Sequence, residues 1–506
     1  MRDGNQTPAG WSLLVLALLC VMGFEMLHQF QGSDAARWGA HLAMSAVVLT
    51  AWPRLGMREF YLLSLSAILA LLLWQYAPQP IETARAALDQ AVFLMAFLLL
   101  ISLIQEGALT SRSVEQVGLY LSQQPGGRRY TGLYSGTNFM AVIFNVGTLS
   151  LLAPLIRKAE EAGPDNVLTK VRARRQYNAV LRGFAWSVVW SPTAIAPLAL
   201  LGLIDGIERL RWIGLGFLLS VAMLFVGWME DHWRWRKISA AALGLPPQIP
   251  PPFPRQGVWR FLVVCVTFGA LTAGILFTTG AAVTASLILA APMVLIGWLI
   301  VQNRSDRQGS TSRIEQHALS CRDHPENAIA EASLQPLRPT GKVATRVLHR
   351  LQEIATSGLP RSATASITLA CAGFVGISAA TLVPAEDLAR IIDLDAFPAW
   401  FFMLSTTLAV TLLSQFGLSP IMMSVFFGAV LGSLPSLPAD PTLTAVAVAT
   451  GWAVSTTISP FATGVIFLAR VSGHSTTKLT YNWNGPFTMM SIVALAAAYW
   501  IITGGT

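Results

Sequence analysis

Tyr134-Ser-Gly-Thr-Asn-Phe139, followed downstream by Trp190-Ser-Pro-Thr193, places small polar residues and a proline inside apolar sequence. About 280 residues later the pattern returns as Leu413-Ser-Gln-Phe-Gly-Leu-Ser-Pro420, followed by Ser455-Thr-Thr-Ile-Ser-Pro-Phe-Ala-Thr-Gly464. In lipid such clusters are costly unless the helix breaks and the freed backbone groups find partners. Interrupted segments at corresponding places in two halves of a chain point to a binding site between repeats.

The surrounding sequence fixes the setting. Over 506 residues the chain is 54% hydrophobic and only 12% charged, with mean hydropathy +0.55. Apolar stretches at 11–30, 38–52, 60–77, 89–105, 182–204, 212–228, 258–279, 281–301, 364–383, 442–468 and 486–502 read as crossings of a hydrocarbon core roughly 30 Å thick. Two more, 130–156 and 399–432, are broken in the middle and read as re-entrant hairpins. The expected fold is therefore an all-α polytopic membrane protein with about 11 transmembrane helices and two opposed hairpins in an inverted repeat.

A net charge of +8 invites a nucleic-acid reading, but its placement excludes one. On this topology only Arg37, Arg85, Arg209, Arg211 and Arg390 face outward, and the other 29 of 34 Lys and Arg face inward. That is the positive-inside bias. It sets the amino terminus inside and the carboxyl terminus outside, as expected for a bacterial inner membrane, and the basic surplus meets anionic lipid. Gly23-Phe-Glu25 is a poor cleavage context, so the first span is expected to stay uncleaved. Four cysteines are too few for a disulfide framework. Trp11, Trp38, Trp52, Trp74, Trp228 and Trp400 lie near span ends, as interfacial anchors do.

Two segments share a plan. Residues 1–88 hold scaffold helices; 89–228 form a first unit with a hairpin; 229–363 hold a linker, two scaffold helices and a polar loop; and 364–506 form a second unit. Each unit has a crossing, a short amphipathic stretch (111–121 or 385–394), a polar-broken hairpin, a crossing with a Ser-Pro interruption, and a last crossing. Arg112, Arg128 and Arg129 precede the first hairpin, and Arg157, Lys158 and Arg172 follow it, so it enters from inside. Asp393, Asp395 and Asp440 flank the second, so it enters from outside. The proline-rich 244–254 is a stiff linker. The basic amphipathic stretch 343–354 is expected on the inner membrane surface.

The presumed interior lacks chemistry for an enzyme. Ionisable groups near spans reduce to Glu25, His28 and His41, with no acid in either hairpin. Intramembrane acids mark proton relays, so a carboxylate-based antiporter is disfavoured. No histidine neighbours Ser135, Ser191, Ser414 or Ser459 in sequence, which disfavours a Ser-His hydrolase. His317, Cys321 and His324 lack a fourth zinc ligand, and no nucleotide motif is present, so no metal or organic cofactor is expected. What remains is Ser, Thr, Asn, Gln, Gly and Pro at helix breaks. Amino ends of broken helices favour an anion, and hydroxyl and amide oxygens favour a hard cation such as sodium. The competing structural readings are a small-residue packing patch at Ser135-Gly-Thr-Asn138, plain proline kinks at Ser191-Pro192 and Ser459-Pro460, and a wetted loop tip at Ser414-Gln415.

These residues resemble the ion transporter superfamily, especially its divalent anion:sodium symporter branch, over roughly 89–228 and 364–502. Ser135-Gly-Thr-Asn138 looks like that branch's first hairpin-tip motif with its order changed, and Ser414-Gln415 like the second, with Gln for Asn. Ser191-Pro-Thr193 and Ser459-Pro460 look like its two helix-break motifs, with Ser for Thr. The resemblance implies a secondary transporter of a small anion, elevator movement and a homodimer. The substrate set is Ser135, Gly136, Thr137, Asn138, Ser191, Pro192 and Thr193 with Ser414, Gln415, Ser459, Pro460 and Thr463. The ion set is Ser135, Asn138, Ser414 and Thr457, with sodium as coupling ion. Export by the same fold, and a non-transporting scaffold or channel, are the alternatives.

Overall fold

The computed structural model describes residues 12–109, 112–236, 238, 251–280, 285–301, 343–383 and 396–505. The amphipathic stretch 385–394, residues 244–250 of the linker and the His317–His324 group lie outside them. Among the described residues the chain is all helical, with no strand. Eight segments are long and apolar enough to cross a membrane, and the protein is an α-helical multi-pass membrane protein. Three expected crossings fall on other helices: 38–52, 182–204 and 281–301.

The chain opens with α1 (Leu13–Gln31), α2 (Asp34–Ala51) and α3 (Met57–Tyr76). Ser12 and Ser33 cap the first two through their side chains, and Gly32 ends α1 at φ 61°. Next come α4 (Pro80–Leu109), α5 (Arg112–Ser122), α6 (Arg129–Phe144), α7 (Gly147–Glu161), α8 (Val167–Trp190), α9 (Ile195–Leu201) and α10 (Arg209–Trp235). The helices α11 (Arg255–Thr279), α12 (Ala285–Val301) and α13 (Val343–Glu353) follow. The last set is α14 (Leu359–Thr381), α15 (Ala399–Leu413), α16 (Pro420–Gly432), α17 (Pro441–Ile458), α18 (Thr463–Ser472) and α19 (Gly485–Ile502), with a π-helical turn, Lys478–Asn484, leading into α19.

Burial separates core from lipid-facing helices. The apolar windows of α4 and of the segment containing α14 are each 72% buried, against 17% for α3 and 11% for α11. The pair α4 and α14 packs closely along its length. A Cβ on Gly373 would sit 3.1 Å from the Gln90 carbonyl oxygen, so the missing side chain permits the approach. Around this pair, α6 and α7 pack on α8, while α15 and α16 pack on α17.

Both expected hairpins are present. The first is α6 and α7 reversing at Asn145, whose φ of 44° is the sole positive value among described non-glycine residues. Asparagine tolerates that region better than most residues. The second is α15 and α16, reversing across 414–419 with Gly417 at φ 83° and Pro420 starting the returning helix. The contacts between the two sets are reciprocal. Helix α9 packs on α16, α18 packs on α7, and α8 packs on α17.

Candidate functional site: two helix breaks against two hairpin tips

The two breaks have matching backbones. Helix α8 ends at Ser191 (φ −65°, ψ 123°) and α17 ends at Ser459 (φ −82°, ψ 123°). In each, the serine N–H makes the last helical bond, Ser191 to the Ser187 carbonyl at 2.9 Å and Ser459 to the Ser455 carbonyl at 2.7 Å. The following proline disfavours a helical conformation for the serine and cannot donate to the ladder. A tight turn then closes, from the Ala194 N–H to the Ser191 carbonyl at 3.1 Å and from the Ala462 N–H to the Ser459 carbonyl at 3.2 Å. Helices α9 and α18 restart after Ala194 and Ala462 with no side-chain cap. The first-turn N–H groups of the ten-residue α18 therefore have no capping oxygen.

Behind this match lies a sequence repeat. Residues 179–194 read AVLRGFAWSVVWSPTA and residues 447–462 read AVATGWAVSTTISPFA, identical at 8 of 16 positions. Several of the shared residues have matching work. A Cβ on Gly183 would meet the Tyr134 carbonyl oxygen at 2.5 Å, and one on Gly451 would meet Val410 Cβ at 2.7 Å. Each glycine lets a hairpin arm lie against a broken helix.

Each break touches the tip of its own hairpin. The Thr193 hydroxyl donates to the Val142 carbonyl and lies 3.0 Å from Ser191 Oγ. In the second set Ser459 Oγ donates to the Ser414 carbonyl at 2.7 Å. Ser191, Ser414 and Ser459 are all buried. Beside Thr193 and Ile143 a narrow cavity opens toward α4, α11 and α12, where Phe97, Ile104, Phe268 and Ile288 make its walls apolar.

The structure places the remaining expected residues unevenly. Ser135-Gly-Thr-Asn138 lies in the middle of α6, not at the tip, which is formed by Asn145. Asn138 is held on both ends of its amide: Nδ2 donates to the Gly183 carbonyl and to Ser220 Oγ, both at 3.0 Å, and Oδ1 accepts from Trp190 Nε1 at 2.9 Å. It joins α6, α8 and α10. Gly136 meets Leu121 of α5, Ser135 is half-buried, and Thr137 is fully buried with no partner for its hydroxyl. Gln415 donates to the Thr411 carbonyl and accepts from Tyr481. Thr457 donates to the Val454 carbonyl and faces Thr488. Pro192 and Thr463 are exposed and Pro460 is half-buried.

A further expectation is corrected. The interior is not free of charge. Arg182 of α8 is 0% exposed, donates to Glu230 of α10 at 3.0 Å and to Asn484 at 2.8 Å, and stacks 4.1 Å over the Phe487 ring. A second pair, Arg175 and Asp231, lies beside it. Sequence reading took Arg182 for a span boundary; its partner lies 48 residues away, beyond the reach of any local pattern.

No family model and no curated protein matches the chain. Among solved structures it is similar to the YdaH transporter of Alcanivorax borkumensis, with 13% identity over 89% of this chain and 99% of that one, at a TM-score of 0.48. It is also similar to MtrF of Neisseria gonorrhoeae, described as illuminating a class of antimetabolite efflux pumps, with 12% identity over 88% and 95% of the two chains and a TM-score of 0.51. At this identity the second likeness is one of fold.

Proposed function

We propose that the protein is a secondary active transporter of a small anionic solute, dicarboxylate-like or an inorganic oxyanion, in a bacterial inner membrane with its amino terminus inside. The observation that carries the reading is the duplication itself: two Ser-Pro breaks of one geometry, each bonded to the tip of a hairpin. Interrupted helices in corresponding halves are where transporters hold cargo, between repeats that exchange access. In this reading 89–228 and 364–506 are inverted repeats, and the reciprocal packing of α9 on α16 and α18 on α7 is what a two-fold relation would produce. The uncapped start of α18 supplies N–H groups for an anion. Ser191, Thr193, Ser459 and Thr463 supply hydroxyls, and sodium is the proposed coupling ion. Elevator movement in a homodimer belongs to the same proposal. Asn138 acts here as a clamp between helices.

Outward export is the second reading. It is favoured by the fold shared with MtrF, whose class is described as efflux pumps.

The first test is the melting midpoint of the purified protein with succinate or sulfate, each with sodium or choline. A ligand at a hundredfold excess over its dissociation constant adds about 2.7 kcal/mol to the folded state. We expect a shift that needs anion and sodium together and that Ser459→Ala removes, while the ligand-free stability falls by only about 1 kcal/mol. A full ligand shift in Ser459→Ala would place the cargo elsewhere. Anion-loaded vesicles that empty through the protein, but do not fill, would select export.

A further inference from the structure

A second set of ionisable groups, with Glu25 and His41 buried and Arg37 and Asp89 half-buried, lies away from both breaks, where α1, α2 and α4 meet. Asp89 of α4 accepts from Arg37 Nε at 2.8 Å and shares a 2.9 Å contact with His41 Nε2. His41 is 7% exposed, its Nδ1 is buried without a partner, and the Trp38 ring stands edge-on at 5.6 Å. Glu25 of α1 is 3% exposed, and its carboxylate accepts from the Gln29 amide at 2.8 Å. Helix α1, which carries it, packs on both α2 and α4.

Counting charge over this set gives the argument. Arg37 balances Asp89. Glu25 then contributes one negative charge that a neutral amide does not offset, and a neutral His41 adds none. An ionised carboxylate at that burial is costly. One added proton on Glu25 makes the set neutral.

The other titratable groups nearby do not supply that charge. Arg85 pairs with Asp34 at 2.8 Å on the exposed rim, and His28, bonded to the Ser33 carbonyl, adds charge only if it too takes up a proton. Helix α14 packs on α1, α2 and α4, but within Leu359–Thr381 its ionisable groups are Arg361 and Cys371. Arg361 lies 3.8 Å from Glu106, toward the far end of α4. Helix α3, which packs on α4, carries Arg58, Glu59 and Tyr61 in its first turns and Tyr76 at its end; Glu59 meets Thr368. Glu82 lies in the first turn of α4.

We propose that Glu25, His41 and Asp89 form a proton-binding site, separate from the cargo sites, that takes up one proton per chain from the solution on its side of the membrane. The site joins α1 and α2 to α4, so its occupancy alters how firmly those helices hold the helix that leads to the first hairpin. Glu25 is the group that carries the proton, since its carboxylate is the charge in the set that no cation offsets.

The test is an infrared titration of the full-length protein in phosphatidylethanolamine–phosphatidylglycerol vesicles from about pH 8 down to about pH 5. We expect the carbonyl stretch of a protonated carboxylic acid to grow as the pH falls, to vanish in Glu25→Gln, and to change its titration midpoint in His41→Gln. Glu25→Gln keeps a side chain that can bond Gln29, so the fold should persist. If it does not, the midpoint in His41→Gln still decides. An absent band in the wild type, an unaltered band in Glu25→Gln, or an unmoved midpoint in His41→Gln would each overturn the proposal.

Discussion

The first and second helix breaks share a backbone and half of a 16-residue sequence, yet they are held by different chemistry. At the first, position 182 is an arginine paired with Glu230 of α10 and Asn484. At the second, the equivalent position is Thr450, which with Thr407 meets the Tyr499 hydroxyl of α19. Asn138 reaches across three helices beside the first break, whereas a ladder of hydroxyls runs beside the second, with Thr407, Thr411 and Ser455 bonding carbonyls between α15 and α17. The backbone device that interrupts the helix is duplicated, and the side chains that fix it have diverged. One break is fastened by charge, the other by neutral hydrogen bonds.

That contrast predicts unequal sensitivity. Glu230→Ala strands a fully buried guanidinium and should cost about 3–5 kcal/mol. Replacing both partners, Arg182→Met with Glu230→Leu, should recover most of the loss, because no fully buried charge is then left without a counterion; Arg234, the other partner of Glu230, is only half-buried. Thr450→Val removes neutral bonds and should cost about 1 kcal/mol. Melting midpoints of the purified variants check this order. Equal shifts for Glu230→Ala and Thr450→Val would break the comparison.

The two glycines offer a finer test. A methyl at Gly183 runs into a backbone oxygen at 2.5 Å, whereas at Gly451 its nearest obstacle is the side chain of Val410 at 2.7 Å. Backbone cannot turn aside as a side chain can. Both Gly→Ala changes fall in the range of about 1–3 kcal/mol for overpacking, with Gly183→Ala toward the upper end and Gly451→Ala toward the lower. Midpoints in the reverse order would show that the first arm is the looser of the two.

Much of the architecture was legible because lipid imposes length and polarity rules that act locally. The spans, the hairpins and both Ser-Pro breaks follow from those rules. The first hairpin's tip did not, since Asn145 differs from other asparagines only in its φ of 44°, which composition does not reveal. The repeat at 179–194 and 447–462 was present in the chain, but it emerges only when the two Ser-Pro pairs are set in register. Arg182 escaped notice because an arginine at the margin of an apolar run reads as the end of the run. Its burial depends on Glu230 and Asn484, which folding alone brings near.

The smallest effect concerns the seam where the second break's outgoing helix meets the first hairpin. Arg157 of α7 donates to the Ser472 carbonyl at 3.0 Å, and His474 follows in the connection toward α19. Burial, and then the charges of Lys478 and Arg157, hold the His474 imidazole below its ordinary value of 6.5. The unfolded chain therefore takes up this proton before the folded one does. The resulting stability is complete above the ordinary value and declines as the pH falls through it. His474→Gln removes the linkage, so its melting midpoint should fall less steeply than the wild type's on the acid side of about pH 6.5. Parallel curves would mean that solvent screens His474 from Arg157. The contact of α7 with α18 would then rest on the Arg157 hydrogen bond and apolar packing alone.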